Sequence, residues 1–473
     1  MKSEQYHGFE LPEYFVFDEL LQTVKDAVAD TPYEECLQKG ILPEHLSDVN
    51  LDILLNKDGH YAVRPIVLAN PFLYYFLVRE ICNEQSWEIV KGLFEKFQVP
   101  HITSCALPII PSGKEPFYKS ATILNWWSAM EQRSIELSLE YRYMFVTDIT
   151  SCYGSVNPQA FDWAFSLKDT KYERMCKSPI STNIQKYLRA FQHGRNIGIP
   201  QGSAIFDFVG EIILGYSDLL LHEAIQGEGI AAPYEIIRYR DDYRIFCNDK
   251  CALEKISYIL QYVLESLNFR MNSKKTKISE SIVTDSIKPD KLAHIYNTPK
   301  FKKGIGFNSF EKYLLYILLF ARQYPNSGSI KTMSSDIDKR IEVWLKLQTN
   351  KWVALDLDGG NDATETTVET YQRRLIGGSV RAMSAICVQI ALENVNCCHY
   401  ALEYTYQKNK REHSSPYNLR LCKVVMGEDV ELWNNSWLKK ELLKDFKQAS
   451  IVCKETLAKV TPVITFRETR AYT

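Results

Sequence analysis

The chain has 473 residues, a net charge of −2, a hydrophobic fraction of 45% and a charged fraction of 24%. This is the balance of a folded protein of two to three domains, and bulk charge does not announce a nucleic-acid partner, which would have to be met by local basic patches. No run approaches the ~18 apolar residues of a membrane span, and the N-terminus lacks a signal-peptide core, so no membrane association is expected. Twelve cysteines occur without a CxxC pair. Cys247 and Cys251, and the Cys397-Cys398-His399 cluster, lack a spaced second half, so zinc is not expected and reduced thiols in a cytoplasmic protein are.

In chain order, apolar spacing of three and four predicts helices at Phe17–Ala29 and Asn70–Glu84. Met144, Phe145 and Val146 read as strand ending at Asp148, and Asp162–Phe165 as helix. Asn196 to Ser203, with Gly198, Pro200 and Gly202, is a tight loop before a helix at Ile205–Leu221. Glu235 to Cys247 reads as strand, acidic turn, strand, followed by a helix at Leu253–Leu267. From Arg270 to Lys303 nine Lys/Arg face three acids (Glu280, Asp285, Asp290), a local excess suited to a phosphate backbone. Further helices are expected at Phe310–Gln323, Ser329–Thr349, Thr366–Gln407 and Leu432–Lys447, with a loop joint at Asp356–Asp362.

Two acidic islands carry the chemistry, Asp148 and the turn Tyr239-Arg240-Asp241-Asp242. Carboxylates at the ends of buried strands are costly unless a cation binds them. A hairpin tip bearing Asp241 and Asp242 beside the end of the Asp148 strand would suit two Mg²⁺ ions, with Mn²⁺ as an alternative, for nucleotidyl transfer. The Ile149 carbonyl could add an oxygen ligand. Tyr153 would lie under the sugar of an incoming nucleotide, where its ring disfavours a 2′-hydroxyl. Gln201 offers donor and acceptor, and Gly202 allows close approach to base or sugar. A lysine of the Asn272–Lys277 stretch (Lys274, Lys275 or Lys277) could protonate the leaving pyrophosphate or contact a nucleic-acid backbone.

The order Asp148…Tyr153, Pro200-Gln201-Gly202, Tyr239-Arg240-Asp241-Asp242, Asn272…Lys275 resembles motifs A to D of reverse transcriptases. Arg64-Pro65…Pro71 resembles their fingers motif. Trp126-Trp127…Glu131…Glu140-Tyr141, with Cys152-Tyr153-Gly154-Ser155, resembles the narrower set of bacterial defence-associated enzymes, the unknown-group and abortive-infection reverse transcriptases. The resemblance covers about residues 60–300. It implies an α+β right-hand polymerase with fingers and an RRM-like palm, followed by a mainly α-helical C-terminal region. The corresponding divisions are 1–140 (N-terminal extension and fingers), 141–280 (palm, with a finger insertion at about 160–197), 281–355 (basic connector and thumb-like helices) and 356–473 (helical domain).

The implied activity is RNA-directed DNA synthesis from deoxynucleotides in bacterial antiphage defence, in the cytoplasm, on an RNA template that is a structured non-coding RNA, by a chain that could form a homo-oligomer. Arg64, Tyr153, Gln201, Gly202 and Lys275 would meet the nucleotide. Tyr239, Arg240, Lys274 and Lys277 would meet primer or template. Arg240 stands where relatives carry a small residue; it could grip a primer phosphate or neutralise Asp241 and Asp242, and so restrict product or priming. Tyr472 is a candidate protein primer. The alternatives are a template-independent or protein-primed DNA polymerase on the same palm, and a catalytically silent RNA-binding scaffold.

Overall fold

The computed structural model describes residues 3–9, 11–12, 14–56, 63–107, 127–167, 178–297, 307–324, 327–330, 332–337, 339–340, 343, 419–425, 427–428 and 430–459. The expected helix at 366–407, the 356–362 joint, the 397–399 cluster and Tyr472 lie outside these residues. The chain divides into two compact units, one of residues 1–53, 65–287 and 423–457, the other of 54–64, 288–422 and 458–473.

Seven strands are described: β1 (Leu51–Asn56), β2 (Val63–Leu68), β3 (Ile102–Ser104), β4 (Tyr143–Asp148), β5 (Tyr234–Tyr239), β6 (Asp242–Cys247) and β7 (Lys277–Ser279). β1 and β2 pair with each other, and the rest form one sheet in the order β3-β5-β6-β4-β7. Within it, β4, the Ala204–Gly227 helix, β5, β6, the Lys250–Ser266 helix and β7 make a split βαβ–βαβ arrangement, with β4 between β6 and β7. This is the RRM-like arrangement expected, with β3 added in parallel at the β5 edge.

Both faces of the sheet are covered, which is why β5 and β6 read as apolar runs rather than alternating strands. Met144, Ile237, Tyr239 and Phe246 pack with Met130, Leu137 and Ile282 on one face. The Ala204–Gly227 helix buries nearly every residue of its first half, consistent with apolar residues all around it there. The Lys250–Ser266 helix buries only the stripe Ala252, Leu253, Ile256, Leu260, Val263 and Leu264, and Asp249 caps it by accepting from Cys251 N and Ala252 N at 2.8 and 3.3 Å.

The N-terminal part adds a helical layer. The Asp18–Val28 helix buries Leu20, Leu21, Val24 and Val28. The Pro71–Cys82 helix begins at Asn70, whose side chain accepts from Phe72 N and Leu73 N, with Pro71 at the first position where no N–H is needed.

The Leu432–Lys447 segment differs from its expected helix. It is a series of turns ending in a short 3₁₀ helix, Lys440–Leu443. Asn434 and Ser436 hydrogen-bond locally, Asn434 Oδ1 accepting from Ser436 N at 3.1 Å, and so offer the backbone an alternative to helix. The spacing that imitates a helix stripe belongs to anchors: Trp433 and Trp437 are fully buried, and Trp433 Nε1 donates to Leu68 O at 3.1 Å. Leu438 bridges to Leu37, and Asn70 Nδ2 donates to Asn435 Oδ1 at 2.8 Å. Residues 433–438 thus complete the layer to which Leu37, Leu68 and Asn70 belong.

In the second unit the Phe307–Gln323 helix packs Phe310, Leu314, Ile317 and Ala321 against Ile330, Met333 and Ile337.

Trp433→Ala should cost the first unit about 3–5 kcal/mol, the range for emptying a large buried aromatic site. Urea denaturation followed by near-UV circular dichroism measures it; a loss below ~1 kcal/mol would show that the tryptophan is not an anchor.

Candidate active site

The acidic hairpin is a two-residue turn. Tyr239 and Asp242 pair across it, leaving Arg240 and Asp241 as its central residues. On the other side Asp148 pairs with Asp242, so the register alone sets the carboxylates of β4 and β6 side by side. Backbone bonds lock this end of the sheet: Ile149 N donates to Asp241 O at 3.0 Å, Asn272 N to Asp148 O at 2.9 Å, and Thr150 N to Arg270 O at 2.8 Å. The stretch after the Lys250–Ser266 helix therefore returns directly beneath Asp148.

That return delivers Lys275. Its ammonium pairs with Asp148 Oδ2, while Asp148 Oδ1 is buried and accepts no hydrogen bond among the described residues. Lys277, on β7, pairs with Asp285 at 2.9 Å, and Lys274 is exposed. Of the three lysines expected here, Lys275 is the one at the acidic cluster.

Burial raises the Asp241 carboxyl above its ordinary pKa, with the charge of Asp148 adding to the effect. Asp242 is pushed up to about 6, first by burial and then by Asp241. Desolvation works against the Lys275 charge, yet its bond to Asp148 and the other two carboxylates leave its pKa raised. One lysine thus faces three carboxylates, a cluster short of positive charge. The side chains do not form a closed cage: among the described residues no group of three or more His, Cys, Asp or Glu is arranged around a common metal position. Such a cage is not required where waters and substrate phosphates supply most of the ligands.

Tyr153 follows a left-handed turn residue, Ser151 at φ +50°, in the short Cys152–Ser155 helix. Its ring lies against Gly210, where a Cβ would come within 2.5 Å of Tyr153 Cε1. The Asn196–Ser203 loop is stitched on both sides: Ile199 N donates to Tyr153 O and Val67 N to Gln201 O, each at 2.7 Å. Gly202 has φ +132°, and a Cβ there would lie 2.5 Å from Val67 O. The close approach that requires this glycine is therefore to the protein's own β2. The Gln201 side chain remains partly exposed.

Arg240 sits at the turn with φ +54°. Its guanidinium bonds Asp207 on the Ala204–Gly227 helix at 2.6 Å, and it also lies over the Tyr239 ring at 5.8 Å. Arg240 thus pairs with Asp207 rather than with either hairpin carboxylate, and its charge lowers the Asp241 carboxyl without outweighing burial. Arg64 is exposed on β2 within the second unit, and the basic stretch divides, with Arg270 to Lys277 in the first unit and Lys288 onward in the second.

Sequence reading missed the residues behind the site. Arg238 is completely buried and bonds Asp218 at 2.7–3.0 Å, Glu211 at 3.1–3.2 Å, Ser104 Oγ at 3.0 Å and the Arg240 carbonyl at 3.1 Å. The signal was present as Asp207, Glu211 and Asp218, spaced four and seven apart on one side of an otherwise apolar helix, with an arginine inside an apolar strand.

Residues 96–302 match the protein family described as "Reverse transcriptase (RNA-dependent DNA polymerase)". This stretch is a reverse transcriptase domain, the domain of RNA-directed DNA polymerases, and the sheet described above is its palm in a right-hand polymerase fold. No curated protein matches the chain. Similar solved structures include telomerase from Candida albicans in complex with a fragment of telomeric RNA, at 11% identity and TM-score 0.32, covering 75% of this chain and 62% of that one. Apo telomerase from Candida tropicalis aligns at 11% identity and TM-score 0.34, over 86% of this chain and 72% of that one. A form of the latter truncated from its C-terminal domain aligns at 15% identity and TM-score 0.29, over 56% of each chain.

Because Asp242 has a folded pKa of about 6 against 3.8 for a free carboxyl, the folded chain binds more protons than the unfolded chain between those values. Metal-free stability therefore falls as pH rises through that window. Asp242→Asn should stabilise the metal-free protein at neutral pH by about 1–2 kcal/mol, discounted for partial exposure, and flatten this loss. Thermal melts of both forms across pH check it; identical pH profiles would refute it.

Proposed function

We propose that the chain is an RNA-directed DNA polymerase that adds deoxynucleotides to a primer end held at Asp148, Asp241 and Asp242. The observation that carries this is the unpartnered, buried Asp148 Oδ1 in a cluster where one lysine meets three carboxylates. Such a site is completed by added positive charge. Asp148, Asp241, Asp242 and the Ile149 carbonyl would hold two Mg²⁺ ions, or Mn²⁺, whose chemistry is to activate the primer 3′-hydroxyl and stabilise the leaving pyrophosphate.

The remaining roles fall to the chain's own groups. Lys275, largely exposed, can leave Asp148 for the triphosphate and donate its proton to the pyrophosphate as that group departs. The Tyr153 ring, fixed against Gly210, lies under the incoming sugar and disfavours a ribose. Gln201 contacts the nucleotide from a loop fixed by its own backbone. Tyr239, Lys274 and Lys277 face primer and template, while the Arg240 guanidinium is held by Asp207. In the alternative reading, a protein-primed start on the same palm, Tyr472 is the candidate hydroxyl.

The resemblance to bacterial defence-associated reverse transcriptases supports a cytoplasmic role in antiphage defence, with a structured non-coding RNA as template. Sequencing of nucleic acid co-purified with wild type and with Asp241→Ala/Asp242→Ala tests both levels. DNA found only with wild type, complementary to a bound structured RNA, is expected. RNA bound equally by both forms, with no DNA in either before or after phage infection, would replace this reading with the scaffold. Within the active enzyme, Tyr153→Ala should raise ribonucleotide incorporation at least about tenfold relative to deoxynucleotide, measured by competing substrates.

A further inference from the structure

The acidic turn has a residue in it that the backbone disfavours. A two-residue hairpin turn needs a positive φ at one or both central positions, which is why glycine and asparagine dominate there. Here the first central residue is Arg240, at φ +54°, while Asp241 is absent from the described residues of positive φ. A non-glycine residue in that region costs about 1–3 kcal/mol and persists only where its surroundings hold it.

Two bonds hold it, from opposite ends of the residue. The Arg240 carbonyl accepts from Arg238 Nη1 at 3.1 Å, and the Arg240 guanidinium donates to Asp207 Oδ2 at 2.6 Å. Arg238 cannot drift, since Asp218 and Glu211 clamp its guanidinium within the interior. Asp207 is in the first turn of the Ala204–Gly227 helix, where the helix dipole favours its charge, and is itself mostly buried. The next peptide along the turn is the one whose carbonyl, Asp241 O, accepts from Ile149 N at 3.0 Å.

We propose that Asp207 is a positioning residue for the active site: through its ion pair with Arg240, and with Arg238 behind, it holds the strained turn that aims Asp241 and Asp242 beside Asp148. This rests on the reading of those aspartates as metal ligands. Asp207 lies five residues beyond Gly202, so the helix that begins at the substrate loop is also the one that fixes the carboxylates. Glycine at position 240 adopts the same φ without strain and would make the clamp unnecessary.

The test is Mn²⁺ binding to the full chain, followed by electron paramagnetic resonance, in wild type, Asp207→Asn, Arg240→Gly and the double variant. Asp207→Asn should weaken Mn²⁺ affinity about tenfold, as loss of a supporting partner of metal ligands does. Arg240→Gly should stay within about twofold of wild type, and Asp207→Asn should have no further effect in that background. Unchanged affinity in Asp207→Asn, or the same weakening with glycine at 240, would overturn the proposal. Should Asp207→Asn fail to fold, a folded double variant that binds Mn²⁺ as Arg240→Gly does supports the clamp, and an unfolded one overturns it. No Mn²⁺ binding by wild type would instead overturn the metal-site reading, and this inference with it.

Discussion

Three carboxylates share the end of a buried antiparallel pair, and their repulsion is the constraint around which the surrounding structure is organised. Nothing in the local chain favours this. Asp148 and Asp242 are register partners, Asp241 is next in sequence, and burial raises the cost of charging each of the hairpin pair. The fold tolerates the arrangement because the sheet end is over-determined: backbone bonds tie Ile149 to Asp241 and Asn272 to Asp148, and Lys275 supplies the nearby ammonium. Stability is surrendered at this point, as is usual where a site must bind charge that arrives from outside.

The second feature is a division of labour between two buried arginines on opposite faces of one sheet. Arg238 bonds the carboxylates of the Ala204–Gly227 helix. Arg244 reaches the other way, to Ser134 Oγ at 2.6 Å, Met130 O at 3.3 Å and Ser286 O at 3.2 Å. Each guanidinium satisfies several acceptors in fixed directions, which apolar side chains cannot do. Together they fix the sheet against its coverings with an orientation that packing alone would leave looser.

Much of the fold was legible because its helices and strands obey simple periods. Asp18–Val28, Pro71–Cys82 and Phe307–Gln323 fall where apolar spacing put them, within a few residues. The hairpin was legible because β-branched residues flank an acidic pair. Leu432–Lys447 was misread because two tryptophans four apart imitate a helix stripe while docking on distant partners, a contact no local window contains. The buried polar network was invisible for a related reason: attention to apolar positions passes over Asp207, Glu211 and Asp218, whose meaning depends on Arg240 for the first and Arg238 for the other two. Gly202 was noticed, but its neighbour is Val67 of β2, which only tertiary structure reveals.

The return of residues 423–457 to the first unit sets an order of events on the ribosome. The segment holding all three aspartates is complete by residue 287, yet the layer sealed by Trp433 and Trp437 waits for about 150 further residues to be made. At ordinary elongation rates that is a delay of roughly 10–30 s, during which Leu68 and its neighbours are left uncovered. A nascent chain stalled or cleaved before that return would keep its three aspartates but lack the layer's closing anchors. Completion of this unit is thereby vested in a segment far in sequence from its acidic cluster.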